Sequence, residues 1–118
     1  MVPKKPSGFL KASLASLFNV VPLKQEPAPL LIGERSNATG SKAFRELLKA
    51  NDYEGTLSVA QQQVRAGAHV IDVSVGFAGR DETGDMNKVV SLYSQKISLP
   101  LMPDSTQIKA LEAALKQI

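Results

Sequence analysis

The chain has 118 residues, of which 43% are hydrophobic and 21% are charged, a composition typical of one folded domain. It contains no cysteine and a single histidine, His69. This excludes a disulfide framework, a cysteine-based zinc or iron–sulfur site and a histidine-rich metal site. No run approaches the roughly 18–20 consecutive apolar residues that a membrane span needs, so we expect no metal bound by this chain and no membrane partner.

The net charge of +3 belongs to the start of the chain. Residues 1–33 carry four lysines against one acid, Glu26, whereas residues 34–118 carry ten basic and ten acidic side chains. No basic face is interleaved with aromatic residues, so we expect no nucleic-acid partner.

Residues 1–29 hold five of the seven prolines and are predicted to form an arm. Between Pro6 and Pro22 the apolar spacing predicts one short helix. Its apolar face would consist of Leu10, Leu14, Leu17 and Phe18. The basic start also has features of a signal or transit peptide, but Lys11 interrupts the apolar run and no clear cleavage site follows. We therefore expect an interdomain linker in a cytoplasmic protein.

From residue 30 onward, apolar runs alternate with helical periodicity. The runs 30–32, 69–75 and 99–102 predict three buried strands. Helices after each strand are predicted from apolar residues at helical spacing: Phe44, Leu47, Leu48; Leu57, Ala60, Val64; Met86, Val89, Val90, Tyr93; and Ile108, Leu111, Leu115. Strands that alternate with helices in this way are parallel and are covered by the helices.

Three strand–helix units leave both edges of a parallel sheet open, and an eight-unit barrel typically needs about 250 residues. We therefore predict an α/β fold in which residues 30–118 are the first three units of a (β/α)8 TIM barrel, preceded by the extended arm. The alternative is a small, complete three-stranded α/β domain.

Polar residues follow the predicted strands at equivalent positions. Glu34 and Asn37 follow the first strand, Asp72 and Ser74 lie at the end of the second, and Asp104 follows the third. Ligands of parallel α/β folds bind beyond the carboxyl ends of the strands. Because charge is rare in strands unless it is paired or used, these residues predict one binding site.

Each of these residues also has a structural interpretation. Glu34 could pair with Arg35, Asp72 could pair with Arg35 or Arg80, and residues 104–106 could cap the last helix. We expect five residues elsewhere to be structural, at the amino end of a strand or at a solvated helix start: His69, Arg80, Asp81, Glu82 and Asp85.

Three motifs carry a family resemblance. They are GERSNATGS at 33–41, GAHVIDVSVG at 67–76 and LMPDST at 101–106. In this order and spacing they resemble the start of a pterin-binding domain, above all the methyltetrahydrofolate-binding barrel of cobalamin-dependent methionine synthases. The same superfamily holds corrinoid methyltransferases and dihydropteroate synthases. The resemblance covers residues 22–118.

The resemblance implies a fragment of a methyltransferase that takes the methyl group of 5-methyltetrahydrofolate and passes it to a corrinoid. Cobalamin would be bound by a corrinoid-binding domain outside this chain. Zinc would belong only to the homocysteine-binding domain of the parent enzyme, to which the arm would connect. We therefore expect little methyltransferase activity from the 118-residue chain alone.

The resemblance also implies roles in pterin binding. Asp104 would accept the exocyclic amine and the adjacent ring N–H of the pterin in one bidentate contact. Glu34 and Asn37 would line the same pocket, and Asp72 would support it. Ser74 stands where the family usually has asparagine, so a contact there would be lost or bridged by water. The motifs identify no catalytic residue.

Two alternatives remain at this stage. A dihydropteroate synthase-like enzyme would normally carry Pro-Asp-Ser-Phe after the asparagine of the first motif, where residues 38–41 read ATGS. The other alternative is a non-catalytic half-barrel used for binding or assembly.

Pro103 precedes Asp104, at a position where the family usually has an apolar β-former. Because proline cannot donate a hydrogen bond to a sheet, the third strand should end or kink there.

Overall fold

The computed structural model describes residues 13–16, 18–25 and 29–118. Within these residues the chain forms the following elements in order: β1 Ser13–Ala15, β2 Val20–Pro22, β3 Ile32–Gly33, α1 Lys42–Lys49, α2 Tyr53–Arg65, β4 Val70–Val73, α3 Glu82–Lys96, β5 Leu101–Pro103 and α4 Ile108–Gln117. The predicted alternation of strands and helices after residue 30 is confirmed.

Strands β3, β4 and β5 form a parallel sheet in that spatial order. Ile32 of β3 pairs with Val70 of β4, and Ile71 of β4 pairs with Leu101 of β5. All three strands are shorter than the apolar runs that predicted them. The third strand ends at Pro103, as expected for a residue that has no N–H to donate.

The two faces of this sheet differ. Ile71 and Val73 are fully buried and belong to the main apolar core. This core also contains the large helical side chains Phe44, Leu48, Met86, Val90 and Tyr93. Because side chains alternate along a strand, Asp72 lies on the opposite face. Met102 pairs with Asp72 and is 37% exposed, so that face is the more open one.

Side chains at the first residues fix where three of the helices begin. Ser41 accepts the N–H of Phe44, Asp52 accepts that of Gly55, and Asp81 accepts that of Gly84. Each satisfies one of the N–H groups that a helix start leaves without an intrahelical partner.

The last helix begins differently from the alternative considered for residues 104–106. Its N-cap is Gln107, whose side chain makes no capping bond. Ser105 Oγ instead accepts the backbone N–H of Gln107. Residues 104–106 therefore form a separate turn between β5 and α4.

The short helix predicted in the arm is wrong. Residues 13–15 and 20–22 pair as an antiparallel hairpin; Leu10 and Leu17 lie outside the described residues. Ser16 closes the turn, since its Oγ accepts N–H groups from Phe18 and Asn19. The β-branched residues at 20 and 21 favour a strand over a helix.

The apolar face predicted for α4 is also wrong. Ile108 and Leu115 are 75% and 66% exposed, whereas Ala110 and Ala114 are fully buried. Alanine allows a close approach of two helices, and α4 packs against α3 through this small face.

No helix within the described ranges is long and apolar enough to cross a membrane.

Candidate functional site

The five predicted site residues all lie at the carboxyl ends of the parallel strands. Glu34 is one step beyond the pair formed by Gly33 and Ile71, which places it beside Asp72. Asp104 is one step beyond the pair formed by Val73 and Pro103, which places it beside Ser74. Adjacent strands are about 5 Å apart. We call this end of the sheet the mouth.

Asn37 reaches the mouth because of a bulge. It forms a parallel bridge with Ser74, so β3 and its continuation take four steps where β4 takes three. The extra residue reverses the alternation of side chains. As a result Ser36 is fully buried among the helices, while Asn37 lies on the face that carries Ser74.

Two carboxylates act on a third at the mouth. Burial raises the pKa of Asp72 above its ordinary value, and the negative charges of Asp104 and then Glu34 raise it further. A hydrogen bond from the backbone N–H of Val73 opposes this pKa rise. Two strands on opposite sides of β4 thus bring their acids close enough to affect the same carboxyl group.

The side chain of Asn37 is partly used by its own loop. Its Oδ1 accepts the N–H of Thr39 at 3.0 Å, the Thr39 hydroxyl at 2.8 Å and the N–H of Gly40 at 3.0 Å. This turn fixes the orientation of the amide. The Nδ2 group of Asn37 remains able to donate to a ligand at the mouth, because it donates no hydrogen bond within the described part of the chain.

The loop that carries Glu34 and Asn37 is fixed from behind by a buried hydroxyl pair. Tyr93 donates its hydroxyl proton to the carbonyl of Thr56 at 2.6 Å, and Ser36 Oγ lies 2.8 Å from the same phenol oxygen. Because tyrosine has one hydroxyl proton, Ser36 must donate the second bond. Burial raises the pKa of Tyr93 to about 12.

The expectation that Arg80 and Asp85 belong to a solvated helix start is wrong. Asp85 is 3% exposed and binds Arg80 in a two-pronged ion pair with N···O distances of 2.7 and 3.0 Å. Tyr53 donates its hydroxyl to the same carboxylate at 2.8 Å. Arg80 is therefore committed to Asp85 and does not pair with Asp72.

Local pairing of the site acids is not found either. In the parts of the chain that the structure describes, the ion pairs are Lys49 with Glu46 and Arg80 with Asp85. Glu34 and Asp104 are both exposed. The mouth thus keeps carboxylates that are open to a ligand.

His69 has the structural role expected of it. Its Nδ1 accepts the backbone N–H of Leu31 at 2.8 Å. The backbone N–H of His69 donates to the carbonyl of Leu31, also at 2.8 Å. These bonds join β3 to β4 at the amino end of the sheet. No group of three His, Cys, Asp or Glu side chains that could hold a metal ion occurs among the described residues.

Comparison with known proteins agrees with the three motifs. The chain is 42% identical over 106 residues to methionine synthases of Mycobacterium leprae (strain TN) and Mycobacterium tuberculosis (strain ATCC 25618 / H37Rv). The aligned segment is 90% of this chain but only 9% of each relative. Residues 33–118 match the family described as pterin binding enzyme. The chain therefore belongs to the pterin-binding enzyme family, as the resemblance of its motifs indicated.

Proposed function

We propose that this chain supplies part of a 5-methyltetrahydrofolate site in a methyltransferase that passes the methyl group to a corrinoid during methionine synthesis. Membership of the pterin-binding enzyme family supports the ligand class. The names of the two mycobacterial relatives support the reaction, and they disfavour the dihydropteroate synthase-like alternative.

The observation that carries the proposal is the convergence of Glu34, Asp72 and Asp104 at the mouth. A pterin presents an exocyclic amine beside a ring N–H, and one carboxylate can accept both. Asp104 is exposed at the end of β5 and is suited to this contact. Asp72 lies deeper between the other two acids and would support them.

The same carboxylates suit the chemistry of methyl transfer. A methyl group leaves a tertiary amine nitrogen more readily when that nitrogen is cationic. Negative charge held at the mouth favours the protonated nitrogen over the neutral one. The chain's own task is thus to bind the pterin, orient it and stabilise positive charge on its ring.

Asn37 and Ser74 would complete the polar wall. The free Nδ2 of Asn37 can donate to a carbonyl oxygen of the ligand, since its Oδ1 is held by its own turn. Ser74 lies beside Asn37 in the bridge, and its shorter side chain would reach the ligand directly or through one water.

In the same proposal, residues 30–118 are the first three strand–helix units of a TIM barrel, and residues 1–29 are the linker. The exposed Ile32 and Met102 on the open face of the sheet support a barrel whose interior needs further strands. The other domains would bind homocysteine with zinc and would bind cobalamin. This chain has no cysteine and its one histidine is used between β3 and β4, so its side chains do not fit either group.

Calorimetric titration with 5-methyltetrahydrofolate, on this chain extended by the remaining strand–helix units of the barrel, tests the proposal. We expect saturable binding that Asp104→Asn weakens by about tenfold or more, since the new NH₂ group would face the ligand's N–H donors. Glu112→Gln, which removes a charge from the exposed side of α4, is the control and should bind like the parent.

Two results would overturn the proposal. One is the absence of binding by a chain whose circular dichroism shows the folded α/β structure. The other is an Asp104→Asn variant that binds as tightly as the parent chain.

A further inference from the structure

Asp104 lies in a short loop whose position is fixed from the neighbouring helix. Its backbone N–H donates to the carbonyl of Val73 at 2.8 Å, which holds it to β4. The next residue, Ser105, donates its hydroxyl to Glu82 Oε1 at 2.6 Å. We propose that Glu82, acting through Ser105, is a positioning residue for Asp104, an inference that rests on the proposed pterin site.

The bond between Ser105 and Glu82 is of a strong kind. A hydroxyl that donates to a carboxylate makes a charge-assisted bond, which is shorter and roughly twice as strong as one between neutral groups. Ser105 Oγ also accepts the N–H of Gln107 at 2.9 Å. Its hydroxyl is therefore fixed on both sides, between the end of β5 and the start of α4.

Glu82 is itself held against the loop that follows β4. It stands in the first turn of α3, where a negative charge is favourable. A Cβ placed on Gly76 would lie only 2.6 Å from Glu82 Oε1. The absence of a side chain at Gly76 thus makes room for the carboxylate, and Glu82 contacts the segments that carry Ser74 and Asp104.

This geometry gives Glu82 an indirect role. Its Oε1 is engaged by Ser105 and therefore less able to bind a ligand. What it fixes is the direction in which the β5–α4 loop leaves the sheet. Without that contact Asp104 would keep its backbone bond to Val73, but the chain after it would be free to move, and a bidentate contact with a planar ligand tolerates little movement.

The test is calorimetric titration of the same extended barrel with 5-methyltetrahydrofolate. We expect Ser105→Ala and Glu82→Ala each to weaken binding about tenfold. The double variant should be no weaker than either single one, because both remove the same bond. Ser105→Thr keeps the hydroxyl and should restore most of the affinity.

Gly76→Ala gives an independent route to the same result, since its methyl group would displace the Glu82 carboxylate while both bonding partners remain. Matched controls are Ser58→Ala and Glu112→Ala, which remove the same groups from exposed helix surfaces. Both should bind like the parent. Urea unfolding of every variant shows that the chain titrated is folded.

The inference is overturned if Ser105→Ala and Glu82→Ala lower stability but leave affinity unchanged, or if their effects on affinity simply add. Failure of the proposed function has a different pattern. In that case the parent chain does not bind, or Asp104→Asn binds as well as the parent, and both proposals fall. If Asp104→Asn weakens binding and the Ser105 and Glu82 variants do not, only the positioning role is refuted.

Discussion

Replacing Tyr93 by phenylalanine removes one oxygen atom from the centre of the fold. The phenol is fully buried, and its hydroxyl links Ser36, in the loop that carries the site residues, to Thr56 in α2. In Tyr93→Phe the Ser36 hydroxyl stays buried without a partner. The Thr56 carbonyl loses the hydrogen bond that the Tyr93 hydroxyl donates to it.

The size of the effect follows from these two contacts. A buried hydrogen bond contributes about 1 kcal/mol net, and a buried hydroxyl left without a partner costs about 1–3 kcal/mol. We therefore expect Tyr93→Phe to lower the free energy of unfolding by about 2 kcal/mol at pH 7. The double variant Ser36→Ala/Tyr93→Phe should lose less than the sum of the single variants, because it removes both partners.

The pH dependence gives a second, independent readout. The pKa of Tyr93 is raised to about 12 in the folded chain, against about 10 for an unfolded tyrosine. Stability from this group is fully present below pH 10 and is lost as pH rises from 10 to 12, because the unfolded chain releases the proton first. A shift of this size corresponds to roughly 2–3 kcal/mol, so the difference between parent and variant should close near pH 12.

Urea unfolding followed by circular dichroism measures both effects, with a series from pH 7 to pH 12. Tyr53 is present in both proteins, so its own titration cancels in the comparison. The reasoning is refuted if the variant loses less than about 0.5 kcal/mol at pH 7, well below the usual value of a buried hydrogen bond. It is also refuted if the parent keeps its full advantage at pH 12.

Three further predictions concern stability, each measured by urea unfolding. Asp72→Asn should be more stable than the parent at pH 7 and lose that gain in acid, because a raised pKa means that ionising Asp72 destabilises the fold; equal stability at pH 7 would contradict this. Asp85→Ala should cost about 3 kcal/mol by leaving Arg80 without its partner, and a loss no larger than that of an exposed Glu112→Ala would argue against it. Gly33→Ala should cost about 1–3 kcal/mol, since its Cβ would lie 2.5 Å from Gln63 Oε1; Gln63→Ala in the same chain should relieve the strain, and failure to do so would show another cause.

The order of strands and helices could be predicted because each carries a local signal. The β-branched residues Val70, Ile71 and Val73, and caps such as Ser41 and Asp52, act within a few residues of themselves. The placement of Glu34, Asp72 and Asp104 at one end of the sheet followed from parallel topology, whereas the bulge that brings Asn37 there left no signal in the sequence. Their roles toward a ligand stay predictions.

Two of the failures, the apolar face of α4 and the setting of Asp85, have another cause, which is that contacts with other elements decided them. The spacing of Ile108 and Leu115 indicated a core face, but α3 packs against the alanines beside them. Asp85 looked like a solvated acid because its partner Tyr53 lies 32 residues earlier. The pairing of Ser105 with Glu82 across two loops left no pattern in the sequence.

The bulge before Asn37 decides which face of the sheet each side chain of this loop occupies. If the present sequence paired regularly, without the bulge, Ser36 would lie opposite Ser74 and away from Tyr93, and Asn37 would turn into the apolar core. Deleting Arg35 would remove the extra residue and align Ser36 with Val73 and Asn37 with Ser74, so both side chains would keep the faces that they occupy now. We therefore expect ΔArg35 to keep the bond between Ser36 and Tyr93 and to be as stable as Arg35→Ala, which urea unfolding of the two variants would measure.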